Sequence, residues 1–275
     1  MQQEVLTSAQ NPRIKQLLAL QQKSSERRKS GLFVIEGQRE LQHCIDAGLK
    51  VEAVFWCQEL APQLSTFVSS LSHLTSRFLV SPYVYEKIAY RGSTEGIIAQ
   101  VATPHQSLND LVINTQKGLY VVLERVEKPG NLGAILRSAD AAGVSAVIVC
   151  DPLTDLYNPN LIRSSIGAIF TVPTVACTSE ECIAWLKQQG VQILTAQLQD
   201  SNAYYDVDMC RPTAIIMGTE STGLTSIWRE AADAHIRIPM LGKLDSLNVS
   251  VSAAILMYEA LRQRTLASKD YRSDK

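Results

Sequence analysis

Apolar positions along the chain change their rhythm near residue 103. Before it, Ile14, Leu17, Leu18 and Leu20 recur at helical spacing and predict a helix from Pro12 to about Arg28. Short apolar runs at Leu32–Ile35, Val51–Trp56, Arg77–Val80 and Gly96–Val101 predict strands. Gln38–Ala47 predicts a helix that stops near Gly48, and Pro82 opens another at its first turn. The stretch Thr103–Asn109 is polar, holds Pro104 and has no apolar period, which marks a connection between domains. The expected division is a small α/β domain over 1–102, a linker over 103–117, a second domain over 118–266 and a loose tail over 267–275.

In the second part, buried-type strands alternate with helices. Strands are predicted at Leu119–Leu123, Ala146–Cys150, Gln192–Thr195, Ala214–Met217 and His235–Ile238. Helices are predicted at Leu132–Ala142, Leu161–Ile169, Glu180–Gln189, Ile227–Ala232 and Leu247–Arg264. This alternation argues for an α/β fold with a parallel sheet covered on both faces. Such sheets bind ligands at the carboxyl ends of their strands, so the loops there are where chemistry is sought.

Composition narrows this picture only slightly. The 275 residues are 46% apolar and 19% charged, and the formal net charge is −1. No global basic field points to nucleic acid, so any such partner would have to be held by a local patch. No apolar run approaches the roughly 18 residues that cross a bilayer, and Met1–Gln10 lacks the pattern of a secretion signal. The six cysteines form no C-x-x-C pair, and Cys177 and Cys182 have no histidine nearby. The expectation is therefore reduced cytoplasmic thiols and no metal site.

Three loops carry candidate chemistry. In the first, Pro129 and Gly130 make a turn, Asn131 can cap the helix that follows, and Arg137 lies six residues on among apolar neighbours. Asn131 serves either as that cap or as a site residue, and Arg137 is either a solvated charge or a group beside the strand ends. The second loop, Gly218-Thr219-Glu220-Ser221-Thr222-Gly223, follows a strand directly. Its glycines allow close backbone approach to a ligand, but it is neither a dinucleotide fingerprint nor a P-loop. The third runs from Ile238-Pro239-Met240 to Ser246-Leu247-Asn248-Val249-Ser250. A helix cap at Ser246 would explain one polar residue there, but not Asn248 and Ser250 as well.

Taken in order on successive strand ends, these loops resemble the SpoU family of RNA methyltransferases, within the SPOUT superfamily. The matching segments are Asn131-Leu132-Gly133 with Arg137-Ser138-Ala139, Gly218-Thr219-Glu220 with Gly223, Ile238-Pro239-Met240, and Ser246 through Ser250. Arg163 through Phe170 is a fourth family-like stretch, and the likeness covers about Leu119 to Arg264. The N-terminal part resembles the L30e-like substrate-binding domain fused to such enzymes, on the strength of Gly31 to Gly37 and the general layout.

The resemblance implies a deep trefoil knot in the C-terminal domain, a homodimer with each active site near the interface, and S-adenosylmethionine as methyl donor. Gly218, Ile238 and Leu247 would contact the donor, with Thr195, Ala196 and Met240 as further contacts. Arg137 would act on the ribose 2′-hydroxyl, either taking its proton or stabilising the developing alkoxide; a guanidinium stays protonated, which favours the second role. Asn131, Glu220, Ser246 and Asn248 would orient the reacting groups. Arg163 is read either as an RNA-phosphate contact or as a surface charge. The basic run Arg13, Lys15, Lys23, Arg27, Arg28 and Lys29 is read as a solvated helix face or as a phosphate track, with Arg27 and Arg28 the candidates for RNA. The expected activity is 2′-O-methylation of RNA, large-subunit rRNA ahead of tRNA. A non-catalytic RNA-binding protein on the same fold and a base methyltransferase are the alternatives.

Overall fold

The computed structural model describes residues 5–92, 94–219, 221–243 and 246–268. The chain forms two compact units, residues 1–105 with 155–170, and residues 106–154 with 171–275.

The first unit runs β1 (Val5–Leu6), α1 (Pro12–Gln22), α2 (Ser24–Ser30), β2 (Leu32–Glu36), α3 (Gln38–Asp46), β3 (Val51–Trp56), α4 (Ser65–Ser70), β4 (Ser76–Val80), α5 (Pro82–Ile88) and β5 (Ile97–Ala102). Its mixed sheet has the order β1-β4-β3-β5-β2, with β5 antiparallel to both neighbours. Ile14, Leu17 and Leu20 of α1 enter its core against Val34, Phe55 and Ile98. The helix expected from Pro12 to Arg28 is two helices, broken at Lys23, whose backbone is extended. At the break the Arg27 guanidinium folds back and donates to the carbonyls of Leu20 (2.5 Å) and Gln21 (3.4 Å), which the end of α1 leaves without helical partners.

Residues 155–170, expected in the second domain, belong to this first unit. Tyr157 and Phe170 stack on Phe33 with ring centroids 4.5 and 6.0 Å apart. The helix predicted over Leu161–Ile169 is split into α7 (Pro159–Ser165) and α8 (Ala168–Thr171) by Ile166, which takes a left-handed φ of 55°. Gly167 follows at φ 84°, where a Cβ would stand 2.8 Å from the His43 ring.

The second unit contains β6 (Leu119–Glu124), α6 (Pro129–Ala141), β7 (Ala146–Cys150), β8 (Thr174–Cys177), α9 (Ser179–Gln188), β9 (Gln192–Ala196), β10 (Asn202–Ala203), β11 (Thr213–Met217), α10 (Ser226–Ala231), β12 (Ala234–Arg237) and α11 (Val249–Ala267). All seven strands are parallel, in the order β10-β12-β9-β11-β6-β7-β8. Strands β8 and β10 were not predicted. The carboxyl ends of β9, β11 and β12 therefore meet on one edge of the sheet.

Helix α11 packs against α6 and beneath β6 and β11. Its far end is locked by Arg264, whose guanidinium donates to the carbonyls of Lys117 (2.6 Å), Met209 (2.9 Å), Arg211 (3.0 Å) and Gly118 (3.2 Å). Burial pulls this guanidinium below its ordinary pKa. Gln263 adds bonds to Met209 N (2.8 Å) and Val207 O (3.1 Å).

Candidate functional site

A cavity of about 440 Å³ opens where β9, β11 and β12 end, within the size range of small-molecule sites. Each strand delivers one wall directly where it ends: Ala196 and Gln197 from β9, Met217 and Gly218 from β11, and Ile236 through Ile238 from β12. Met240, Ser246 and Leu247 come from the loop before α11, and Ser252 and Leu256 from α11 itself. Of the expected donor contacts, Gly218, Ile238, Leu247, Ala196 and Met240 line the cavity. Thr195 does not: it is fully buried, and its Oγ1 lies 2.6 Å from Nδ1 of His235 on the neighbouring strand.

The loop after β11 is closed on itself. Thr222 N donates to Thr219 Oγ1 at 3.0 Å, and Gly223 N donates to Thr219 O at 3.1 Å. A Cβ on Gly218 would stand 2.3 Å from the Gly223 carbonyl, so only glycine lets the loop fold this tightly over the strand end. The loop is also anchored from below by the buried carboxylate of Glu124 at the end of β6. It accepts from Thr225 N (2.9 Å) and Thr225 Oγ1 (2.6 Å). Glu220, expected to be catalytic, lies outside the described residues, as do Leu244 and Asp245.

The remaining expected residues sit at the start of two packed helices. Asn131 is not the cap of α6, because the helix begins two residues earlier with Pro129 at its first position and Lys128 as its cap. Its side chain is thereby released from capping, and its Oδ1 accepts from Asn248 Nδ2 at 3.1 Å. Asn248, not Ser246, caps α11, with its Oδ1 accepting from Ser250 N at 3.0 Å and Ser250 Oγ at 2.5 Å. Ser246 instead lines the cavity. Arg137 is exposed on α6 and is not part of the cavity wall; among the described residues no hydrogen bond or ion pair is recorded for its guanidinium.

The sequence reading missed Ser252 and Leu256, although they follow Asn248 at steps of four and so share its helix face. It also missed Arg229 and Arg237, the only formal charges among the described wall residues, which favour an anionic group on the ligand.

The RNA candidates lie in the first unit and divide. Arg28 is exposed. Arg27 is only 5% exposed and is paired with Asp155 at 2.6 Å, so it is a core strut and not an RNA contact. Arg163 donates to Tyr90 O at 3.3 Å and lines a second cavity of about 260 Å³ beside Arg39, Glu36, Glu40 and Glu95. Three carboxylates against two guanidiniums make that setting a poor one for a phosphate.

Strand order, the cavity at the strand ends and the paired helix starts define a SPOUT-type methyltransferase domain. Residues 118–258 match the SpoU rRNA Methylase family and residues 11–99 the MRM3-like substrate binding domain, and the chain belongs to the SpoU family. It is an RNA methyltransferase that uses S-adenosylmethionine. It is 29% identical to the 23S rRNA (uridine(2479)-2′-O)-methyltransferase of Streptomyces viridochromogenes, over 94% of this chain and 92% of that protein. It is 30% identical to the 23S rRNA (guanosine(2553)-2′-O)-methyltransferase RlmP of Bacillus subtilis, over 92% and 97%. Among solved structures, an RNA 2′-O ribose methyltransferase is 39% identical at a TM-score of 0.81, covering 95% of this chain and 99% of that one. The AdoMet-bound rRNA methyltransferase of Sinorhizobium meliloti is 30% identical at 0.84, covering 95% and 98%.

Proposed function

We propose that this protein methylates a ribose 2′-hydroxyl of large-subunit ribosomal RNA. The observation that carries the reading is the cavity at the ends of β9, β11 and β12, walled by Gly218, Ile238, Met240, Ser246 and Leu247. Its tight glycine loop and apolar side chains fit the adenosyl part of S-adenosylmethionine, which supplies an electrophilic methyl group when bound.

The chain's own residues then have to place a ribose oxygen in line. Positioning alone lowers such barriers by roughly 7–11 kcal/mol at best. Arg137 holds the developing alkoxide or its neighbouring phosphate by charge-assisted hydrogen bonds. The Asn131–Asn248 pair fixes the starts of α6 and α11 relative to one another, and Ser246 stands at the edge of the cavity between them. Glu220 completes the set by resemblance. Arg28 contributes to RNA attraction from the first unit, and Arg163 is the weaker candidate there.

The working form is a homodimer. Val251 and Tyr258 on α11 expose 46% and 48% of their surface, and Leu247, just before its cap, 36%, an apolar patch that a second copy would cover. Arg137 lies outside the wall of its own chain's cavity, as a site completed across a dimer requires. The trefoil knot belongs to the same reading, supported by β11 inserting between β9 and β6 before α11 turns back onto α6. Six free cysteines support a reducing, cytoplasmic setting. Among the described residues no helix is long and apolar enough to cross a membrane.

The test is transfer of labelled methyl from S-adenosylmethionine to 23S rRNA lacking the modification, with nucleoside mapping. Label in a 2′-O-methylribose supports the reading. Label on a base, or transfer confined to tRNA, overturns it.

A further inference from the structure

The scattered cysteines are not scattered in space. Cys150 ends β7, Cys177 ends β8, and Cys182 lies in the first turns of α9. Their three sulfurs all lie within 4.8 Å of one another, with Cys150 and Cys177 at 3.9 Å. Cys150 and Cys182 are fully buried, while Cys177 is partly exposed and leaves one way in from solvent. None of the three lines the donor cavity.

We propose that Cys150, Cys177 and Cys182 form a three-thiolate site for a thiophilic divalent cation of the zinc class. The spacing fits. A zinc–sulfur bond of about 2.3 Å sets sulfur–sulfur edges of roughly 3.8 Å in tetrahedral and 4.0 Å in trigonal geometry. One edge already has that length, and the others need to close by less than about 1 Å. The charge also fits. Three thiolates around a divalent ion leave one negative charge, whereas a monovalent ion would leave two in a mostly buried place. Cys177 directly precedes the capped N-terminus of α9, whose partial positive charge favours thiolate.

Binding the ion would displace the thiol protons to solvent. Water reaching past Cys177 would fill the fourth position. The bound ion would pin the ends of β7 and β8 to α9, a structural role separate from methyl transfer.

The experiment is a titration of the full-length protein, reduced and stripped with chelator, with Cd(II). One equivalent should bind per chain, with a thiolate-to-cadmium charge-transfer absorption in the ultraviolet. Cys177→Ser should remove that absorption, and Cys210→Ser, at a cysteine outside the cluster, should keep it. Because Cys150→Ala and Cys182→Ala disturb the core, a second readout uses the unaltered chain: one equivalent of Zn(II) should protect the partly exposed Cys177 from a thiol reagent while Cys210, equally accessible and outside the cluster, still reacts. No stoichiometric absorption, absorption retained in Cys177→Ser, or Cys177 as reactive with Zn(II) present as without it would each overturn the proposal.

Discussion

Asn248 donates its side-chain amide to Asn131 Oδ1 at 3.1 Å, joining the first turns of two helices 117 residues apart in sequence. The two asparagines have different second duties, which makes their roles separable. Asn248 also caps α11, whereas Asn131 is not the cap of α6. Asn248→Ala should therefore cost about 1 kcal/mol of stability and lower kcat as well. Asn131→Ala should lower kcat at a smaller cost in stability, since no helix cap is lost. Urea unfolding alongside single-turnover methyl transfer checks both, and equal destabilisation by the two variants would contradict the division.

Arg137 stands clear of the donor cavity, so its loss should be felt in transfer and not in donor binding. Arg137→Ala is expected to reduce kcat by about 100-fold or more, with the Kd for S-adenosylmethionine within about twofold of the parent. Calorimetric titration and a methyl-transfer assay on the same preparation decide it. Donor affinity falling as far as activity would place Arg137 in the donor site instead.

The sheet and the cavity loops were legible because their information is local. Leu119–Leu123 and Ala214–Met217 are apolar runs bounded by breakers, and the loops after them announce themselves by glycine and asparagine. What escaped depends on partners far along the chain. Nothing near Arg27 distinguishes it from Arg28, because Asp155, which buries it, is 128 residues away. The convergence of Cys150, Cys177 and Cys182 was invisible because β8, which delivers Cys177, is too short to show a period. For a related reason the sequence left a cap open as one reading of both Asn131 and Ser246: cap preferences identify the residue type but not which of several neighbours starts the helix.

Gly218 offers a direct test of the loop that walls the donor cavity. A methyl group there would collide with the Gly223 carbonyl at 2.3 Å, so the loop must open. Gly218→Ala should weaken donor binding by at least about tenfold, the equivalent of roughly 1.4 kcal/mol. The melting temperature measured without donor should fall as well, since the collision is with backbone and not with a yielding side chain.

Arg264 tests how the C-terminal helix is held. Its guanidinium satisfies four carbonyls that no smaller group can reach together. Arg264→Ala should cost about 2–3 kcal/mol by leaving several part-buried acceptors unpaired. Arg264→Lys should recover less than half of that, because a single ammonium lacks the planar fork. Equal stability of the lysine variant and the parent, by chemical denaturation, would show that charge alone suffices.

Arg27 and Arg28 are neighbours in sequence with opposite expected behaviour. Arg27 is 5% exposed and bonded to an Asp155 that is 16% exposed. Arg27→Ala strands that carboxylate and frees the carbonyls of Leu20 and Gln21, for a loss on the order of 3 kcal/mol. RNA affinity of the fraction that remains folded should be nearly unchanged. Arg28→Ala should leave stability alone, weaken RNA binding and reduce the slope of log affinity against log salt by about one. Measuring both variants by denaturation and by RNA binding across a salt series separates a core strut from a phosphate contact. A flatter salt slope for Arg27→Ala, with an unchanged one for Arg28→Ala, would reverse the assignment.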